Sequence, residues 1–548
     1  MPSPDSVAHV PPRTARVVAL CVTWNRKEMV SRAIEALARQ RYPLDHLDLV
    51  VIDNASTDGT PVFLSERWAA ERIIENPTAR AHEPAFACPP RVMANPLARG
   101  SNRAGFRSFT VVRNAANHGG CGGFNTGLAF VEHAFGAAGE SGAPEYVWLV
   151  DDDAETAPDT LEHLTRVGAS DPGIGLVGSR TVHFDDRAET IETTIYFDSR
   201  SGAMCDHPPP HHPLHQGHTE WVKRTGGVRG KLEFSGARDV DVVSACCMLA
   251  RWSGVAKVGF WDWRYFIYCD DADWCLRFAR AGYRVVLSLD ARVFHLPWNL
   301  KLTPARIYYA QRNAVWMAQK IVPEERVRPV MLRWLGRLVF DSLRAASCRR
   351  LFHADIIRRT AEHIVSGQGG KLVDDGPKPE DTVAALRRTG ALTHGGRIGV
   401  VCCQHGSLDW ARALRDRVAA ACESNERPTW QWIVRNDLPG AASEQLPGSD
   451  VSRVIYSRAA RSRAFRRQLP FVLAPPAAVV IFDQTTDFPF IRGGWNIHID
   501  MKNPAQAQVE RDGLGPRVRF FSRWLGTTIR SFVWAVTTKR YVSANRYG

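Results

Sequence analysis

Val17-Val18-Ala19-Leu20-Cys21-Val22, then Lys27 to Arg39, then Leu47-Asp48-Leu49-Val50-Val51-Ile52: these residues decide the fold. The first run is apolar at every position, the pattern of a strand buried on both faces. In the second, Met29, Val30, Ile34 and Leu37 fall at helical spacing. The third is a second strand. Strand, helix, strand predicts an α/β chain with a parallel sheet, and such sheets gather ligands beyond the carboxyl ends of their strands.

The second strand ends in Asp53-Asn54-Ala55-Ser56-Thr57-Asp58-Gly59-Thr60. A carboxylate there can accept hydrogen bonds from a base or ribose, and the Ser/Thr/Gly turn lets backbone amides face a ligand. The same residues also make a plain turn with a cap for the next helix. Further on, Asn117 to Gly127 holds five glycines, followed by a predicted helix from Leu128 to Phe135. Glycines permit close approach of backbone to a nucleotide, and a flexible surface loop is the alternative. No Gly-Lys-Ser/Thr follows and the spacing is not GxGxxG, so this is neither a P-loop nor a dinucleotide fingerprint.

Two acidic clusters carry the chemistry. Asp151-Asp152-Asp153 closes the apolar run Tyr146-Val147-Trp148-Leu149-Val150. Three adjacent carboxylates repel one another unless a cation sits among them; a solvated acidic turn is the alternative. Asp270-Asp271-Ala272-Asp273 opens a helical segment, where the helix dipole alone would favour acidic residues. His295 follows the strand-like run Tyr283 to Leu289 and, alone, reads as a core histidine. Together the three elements point to a divalent metal carrying a diphosphate, with a separate carboxylate free to act as base.

At 548 residues the chain is too long for one core, and roughly two to four domains are expected. Hydrophobic residues at 45% and charged residues at 23% are an ordinary globular balance. The net charge of +13 favours an anionic partner. No nucleic-acid motif accompanies it, so a membrane surface or a phosphorylated substrate ranks above nucleic acid. Twelve cysteines without a disulfide rhythm indicate a reduced, cytoplasmic chain. The first residues lack the apolar core of a signal peptide, and no run reaches the ~18 apolar residues of a spanning helix. Any membrane contact is therefore expected to be peripheral. Basic and apolar residues interleave from Arg326 to Arg359, which suits an anionic membrane interface or a packed helix with a solvated basic face. His207, His211, His212, His215 and His218 surround three prolines without zinc-site spacing, and a mobile loop is expected there.

The ordered set of Thr23-Trp24-Asn25-Arg26, the Asp53 turn, the glycine-rich stretch, the aspartate triplet, Cys269-Asp270-Asp271-Ala272-Asp273 and His295 resembles a family 2, GT-A-fold inverting glycosyltransferase. Within that group the chain is most similar to bacterial galactofuranosyltransferases. The particular features are Leu276-Arg277 after the acidic element, His295 spaced to Trp298, and Tyr308-Tyr309-Ala310-Gln311-Arg312-Asn313. The resemblance covers residues 16–320. It implies a nucleotide-sugar site of Thr23, Arg26, Asp53, Asn117, Gly119, Gly120, Gly123 and Asp152. It implies Mn²⁺ or Mg²⁺ on Asp151, Asp153 and His295, with Asp271 as base and Asp270, Asp273 and Trp298 on the acceptor. The donor would be a UDP-hexose such as UDP-galactofuranose. The acceptor would be a lipid-linked or cell-surface glycan of cell-wall or polysaccharide biosynthesis, at the inner membrane face. Val243-Ser244-Ala245-Cys246-Cys247-Met248 departs from the tryptophan-rich acceptor segment of the galactan-polymerising enzymes and is closer to rhamnosyltransferases, so dTDP-rhamnose is the alternative donor. A non-catalytic scaffold is the rival reading.

The expected organisation is a disordered leader at 1–15, a GT-A domain at 16–320, a basic helical segment and linker at 321–396, and a second, smaller α/β domain at 397–548 that is either a transferase-like half or a docking module. Residues 75–110 are expected to form an inserted loop.

Overall fold

The computed structural model describes residues 14–77, 91–94, 102–297, 304–347, 350–373, 378–403, 406–423, 426, 428–438, 448–456, 475–482, 493–499, 504–511 and 513–541. Residues 1–13 of the expected leader and Trp298 lie outside these residues.

The chain is α/β, with a large, mainly parallel mixed sheet, a layer of helices and a second sheet. At the centre of the first sheet, Tyr146–Asp151, Val17–Thr23, Leu47–Asp53, Ser108–Asn114 and Arg72–Asn76 lie side by side in that order, all parallel. Val17–Thr23 and Leu47–Asp53 are buried almost throughout, because helices cover both faces. Lys27–Ala38 lays Val30, Ala33, Ile34 and Leu37 on one face; Gly119–Phe135 covers the other. Parallel register is what assembles the site. Thr23 pairs with Asp53 and Val22 with Asp151, so three widely separated segments end at one edge. On the far side of Tyr146–Asp151 the sheet turns antiparallel through Cys247–Arg251 and Ile174–His183. The long strand Arg284–His295 then runs parallel to Ile174–His183 and delivers His295 opposite His183.

The glycine-rich stretch differs from the loop expected of it. Gly119–Phe135 is a continuous helix, and three of its glycines form a packing face. A Cβ at Gly123 would stand 2.4 Å from Val22 Cγ1, and one at Gly127 would stand 3.0 Å from Ile52. Gly123 and Gly127 therefore let the helix lie close against the sheet. The histidine-rich region is also built. His215–Thr225 is a helix. His218 Nδ1 lies 3.1 Å from the Tyr196 hydroxyl, His207 Nδ1 lies 2.9 Å from His218 Nε2, and His212 Nε2 lies 2.8 Å from Asp241. Within the expected insertion, the described residues include Arg91–Ala94, which pairs antiparallel with Arg72–Asn76.

Three helices follow the sheet: Pro304–Ile321, Glu324–Ser347 and Leu351–Ser366. The second sheet is parallel in the order Trp495–Ile499, Ala478–Phe482, Arg397–Cys402, Thr429–Arg435, Val451–Tyr456. Gln506–Arg511 and Glu380–Asp381 add antiparallel at its edge. Leu514–Thr537 then returns to pack on Glu324–Ser347 and Leu351–Ser366. Among the described residues no helix is long and apolar enough to cross a membrane.

Candidate active site

The aspartate triplet splits by direction. Asp152 is buried and turned toward the first strand, where Thr23 Oγ1 donates to it at 2.8 Å and Arg26 Nη1 at 2.8 Å. Burial raises its carboxyl to about 6, against the opposing pull of Arg26. Asp151 and Asp153 face the other way. With His295 they place one oxygen, one oxygen and one nitrogen within 4.8 Å of one another. His295 Nε2 is 3.1 Å from Asp153 Oδ1 and 3.9 Å from Asp151 Oδ2. Two hard carboxylate oxygens and one imidazole nitrogen fit a divalent cation such as Mn²⁺ or Mg²⁺. Arg26 also reaches Asp153 at 3.1 Å, which moderates the negative charge of the cluster.

Asp270 and Asp271 begin the helix Asp270–Arg280 on a contorted lead-in. Phe266, Tyr268 and Cys269 all have positive φ, at 65°, 70° and 58°, a region costly for residues with a Cβ. Two fully buried neighbours from the helix Pro304–Ile321 hold it. Asn313 Nδ2 reaches the carbonyls of Tyr265, Ile267 and Tyr268 at 2.9, 2.8 and 2.8 Å. The Arg312 guanidinium donates to the carbonyls of Arg264 and Tyr265 at 2.8 and 3.1 Å. From the other side the start of Gly119–Phe135 meets the same segment: Cys121 N donates to Phe266 O at 3.2 Å. A Cβ at Gly119, whose φ is +73°, would fall 2.1 Å from Phe266 O. Asn125 completes the join with a reciprocal pair of hydrogen bonds to Trp261. Asp271 then accepts from Ala272 N at 2.8 Å and Ala245 N at 3.3 Å. Burial, then the Asp151 charge, push its carboxyl up, while these amides pull it down. Asp270 is more deeply buried, and burial followed by Asp271 raises it well above the ordinary range.

The remaining expected residues fall into two groups. Asp53 is 1% exposed; Ser56 N donates to its Oδ2 at 3.2 Å, while the buried Oδ1 has no hydrogen-bond partner among the described residues. Such an orphaned acceptor at a strand end is a place for a ligand donor. Asn117 accepts from Gly119 N at 2.8 Å and so holds the start of the glycine helix. Gly120 is the glycine there with open space at its Cβ direction, whereas in that direction Gly119 and Gly123 approach Phe266 and Val22. Asp273 is also corrected. It is fully buried and ion-paired with Arg277 at 2.9 Å and Lys320 at 3.1 Å, with the Tyr265 hydroxyl donating to it at 3.1 Å. Its carboxylate is consumed inside the fold and does not face an acceptor.

Glu192 was not anticipated. It sits on the short strand Thr190–Glu192, opposite Thr181. Burial raises its carboxyl to about 7, with Asp271 adding to the rise and His295 opposing it. A lone glutamate after Thr190-Ile191 has no motif to mark it, and only the pairing with Ile174–His183 brings it into the field of Asp271 and His295. The buried group Asp262, Lys320 and Arg264 was likewise invisible: Lys320 Nζ lies 2.6 Å from Asp262, and Arg264 Nη2 lies 2.5 Å from it.

Residues 19–82 and 97–225 match the family described as glycosyl transferase family 2. A curated relative, the N-acetylglucosaminyl-diphospho-decaprenol L-rhamnosyltransferase of Mycobacterium tuberculosis, is 25% identical over 251 residues. The alignment covers 45% of this chain and 66% of that protein, so the chain spans just under two thirds of the relative's length. Among solved structures, the Pyrobaculum calidifontis mannosyltransferase in complex with GDP-Man and Mn²⁺ is 18% identical, covers 70% of this chain and 81% of its own, and has a TM-score of 0.35. S. aureus TarS 1-349 in complex with UDP-GlcNAc is 11% identical over 64% of this chain and 81% of its own, with a TM-score of 0.37. The likeness to glycosyl transferase family 2 therefore lies in residues 19–82 and 97–225, the segments that hold the Asp53 turn, the glycine-rich helix and the aspartate triplet.

Proposed function

We propose that the chain is a metal-dependent, inverting transferase that moves a hexose from a nucleotide-diphosphate sugar to a lipid-linked glycan at the cytoplasmic face of a membrane. The observation that carries this reading is the convergence of Asp151, Asp153 and His295 within 4.8 Å beside the strained helix start that presents Asp271. Asp151, Asp153 and His295 would hold Mn²⁺ or Mg²⁺, which when bound supplies positive charge against the leaving diphosphate. Asp53 Oδ1 would accept from the base or ribose, and Thr23 and Arg26 fix Asp152 so that the base-binding turn and the aspartate triplet keep one geometry. Asp271, held by two backbone amides on a partly exposed helix start, takes the proton from the acceptor hydroxyl as that oxygen attacks the anomeric carbon. A single in-line displacement inverts the configuration there.

The donor sugar has two readings. UDP-galactofuranose follows from the motif set around Asp270 and His295. A dTDP-rhamnose donor follows from Val243–Met248 and is favoured by the relative that transfers L-rhamnose onto a diphospho-decaprenol acceptor. Purified enzyme offered a panel of nucleotide sugars with membrane-extracted acceptor, and the product read by mass spectrometry, separates them. Asp271→Asn is expected to lower transfer by about 10²- to 10⁴-fold while retaining nucleotide binding. Wild-type turnover in that variant would remove Asp271 from the mechanism.

A further inference from the structure

The helix Leu514–Thr537 is two-faced in an unusual way. Its inner face, Phe520, Thr527, Ser531 and Ala535, is buried where the helix packs on Glu324–Ser347 and Leu351–Ser366. Trp524 Nε1 donates to Val339 O at 3.1 Å, and Arg358 Nη1 donates to Thr527 Oγ1 at 3.1 Å, fixing the rotation of the helix. With that rotation fixed, Leu514, Val518, Phe521, Leu525, Ile529 and Phe532 point away from the protein. They range from 41% exposed at Phe521 to 77% at Leu514. Their spacing of three and four residues makes one continuous stripe along the helix axis.

Large apolar side chains normally line the inner face of a helix, so a second stripe turned outward implies an apolar partner. The charges say which partner. Between Leu514 and Thr537 every ionisable residue is an arginine: Arg517, Arg519, Arg523 and Arg530. No acidic residue interrupts them. The adjacent helix Glu324–Ser347, whose Val339 carbonyl Trp524 reaches, also exposes Phe340 at 60%, with Arg333 and Arg337 exposed on it. Anionic headgroups above an acyl boundary satisfy both the stripe and the charges. A helix of 24 residues is about 36 Å long and carries its arginines along the whole length, so it lies in the interface plane.

We infer that Leu514–Thr537 is a membrane-docking helix that seats the protein on an anionic bilayer. The inference deepens the reading of a membrane-borne acceptor by naming the surface that reaches it. It is tested without turnover, so it can fail while the transferase reading stands. Flotation of the full chain is measured with vesicles of phosphatidylglycerol and phosphatidylcholine, and with vesicles of phosphatidylcholine alone. Wild type is expected to float with the first, to release as salt rises, and to stay largely unbound with the second. The double variant Leu525→Glu/Ile529→Glu, at exposed positions that leave the fold intact, is expected to lose about tenfold or more in apparent affinity. Arg519→Glu/Arg523→Glu is expected to lose binding to the anionic vesicles. Circular dichroism and size-exclusion chromatography verify that each variant is folded. Wild type that stays unbound at low salt, or a double variant that floats like wild type, would overturn the inference. So would a wild-type dimer that the double variant converts to monomer with no vesicle binding by either.

Discussion

Asn313 concentrates much of the site's geometry in one amide. It caps three carbonyls of a segment with three positive-φ side-chain-bearing residues, each such residue costing on the order of 1–3 kcal/mol. Asn313→Ala would leave those carbonyls unsatisfied and free the segment to relax, moving Asp270 and Asp271. Transfer is expected to fall about 10- to 100-fold with nucleotide affinity little changed; equal losses in turnover and nucleotide binding would show a general unfolding instead. Gly119→Ala acts on the same segment from the opposite side. It places a Cβ against Phe266 O at a backbone φ of +73°, and a loss of about 2–4 kcal/mol in denaturant unfolding is expected. Asp153→Ala should abolish the gain in nucleotide affinity that Mn²⁺ gives by calorimetry, as EDTA should for the unaltered enzyme; a metal-independent affinity in both proteins would refute the cation site.

At the level of elements, the buried pair Asp262 and Lys320 joins the lead-in of one helix to the end of another. Burial acts to raise the Asp262 carboxyl, but Lys320 and Arg264 outweigh it and hold it down to about 2. A carboxyl held below its unfolded value stabilises the fold above about pH 4, and that contribution is lost as pH falls from about 4 toward 2. Melting temperature should therefore drop through that window, and Asp262→Asn should flatten the drop. The elements themselves were unequally legible. Val17–Thr23 and Leu47–Asp53 announced themselves because strands covered on both faces are apolar throughout. The helix at Gly119 did not, because glycine lowers helix propensity and only the close approach of Val22, Ile52 and Phe266 accounts for it. The histidines from 207 to 218 read as loop because their partners, Tyr196 and Asp241, are remote in sequence. Asp151, Asp153 and His295 could be grouped from their motif order, whereas Asp273 could not be told from its neighbours: only tertiary contacts with Lys320 and Tyr265 separate a buried ion pair from a surface carboxylate.

Across the whole molecule, the helix Pro304–Ile321 ties distant parts together. Its middle clamps the lead-in to Asp270 through Arg312 and Asn313, and its end is stitched to the residues after the docking helix. Tyr541 N donates to Gln319 O at 3.4 Å, Gln319 Nε2 donates to Thr538 Oγ1 at 2.9 Å, and the Arg264 guanidinium lies over the Tyr541 ring at 4.4 Å. Tyr541→Ala should lower melting temperature modestly and reduce transfer by a few-fold, read in the same product assay; full activity with an unchanged melting curve would show the stitch to be idle. The order of synthesis gives this stitch a further meaning. A nascent chain displays all of its acidic triad and both helix-start aspartates long before residues 514–541 leave the ribosome. The contacts of Gln319 and Arg264 with residues 538–541 form only once that segment has emerged, so in every shorter nascent chain the far end of the helix that carries Arg312 and Asn313 stays untied.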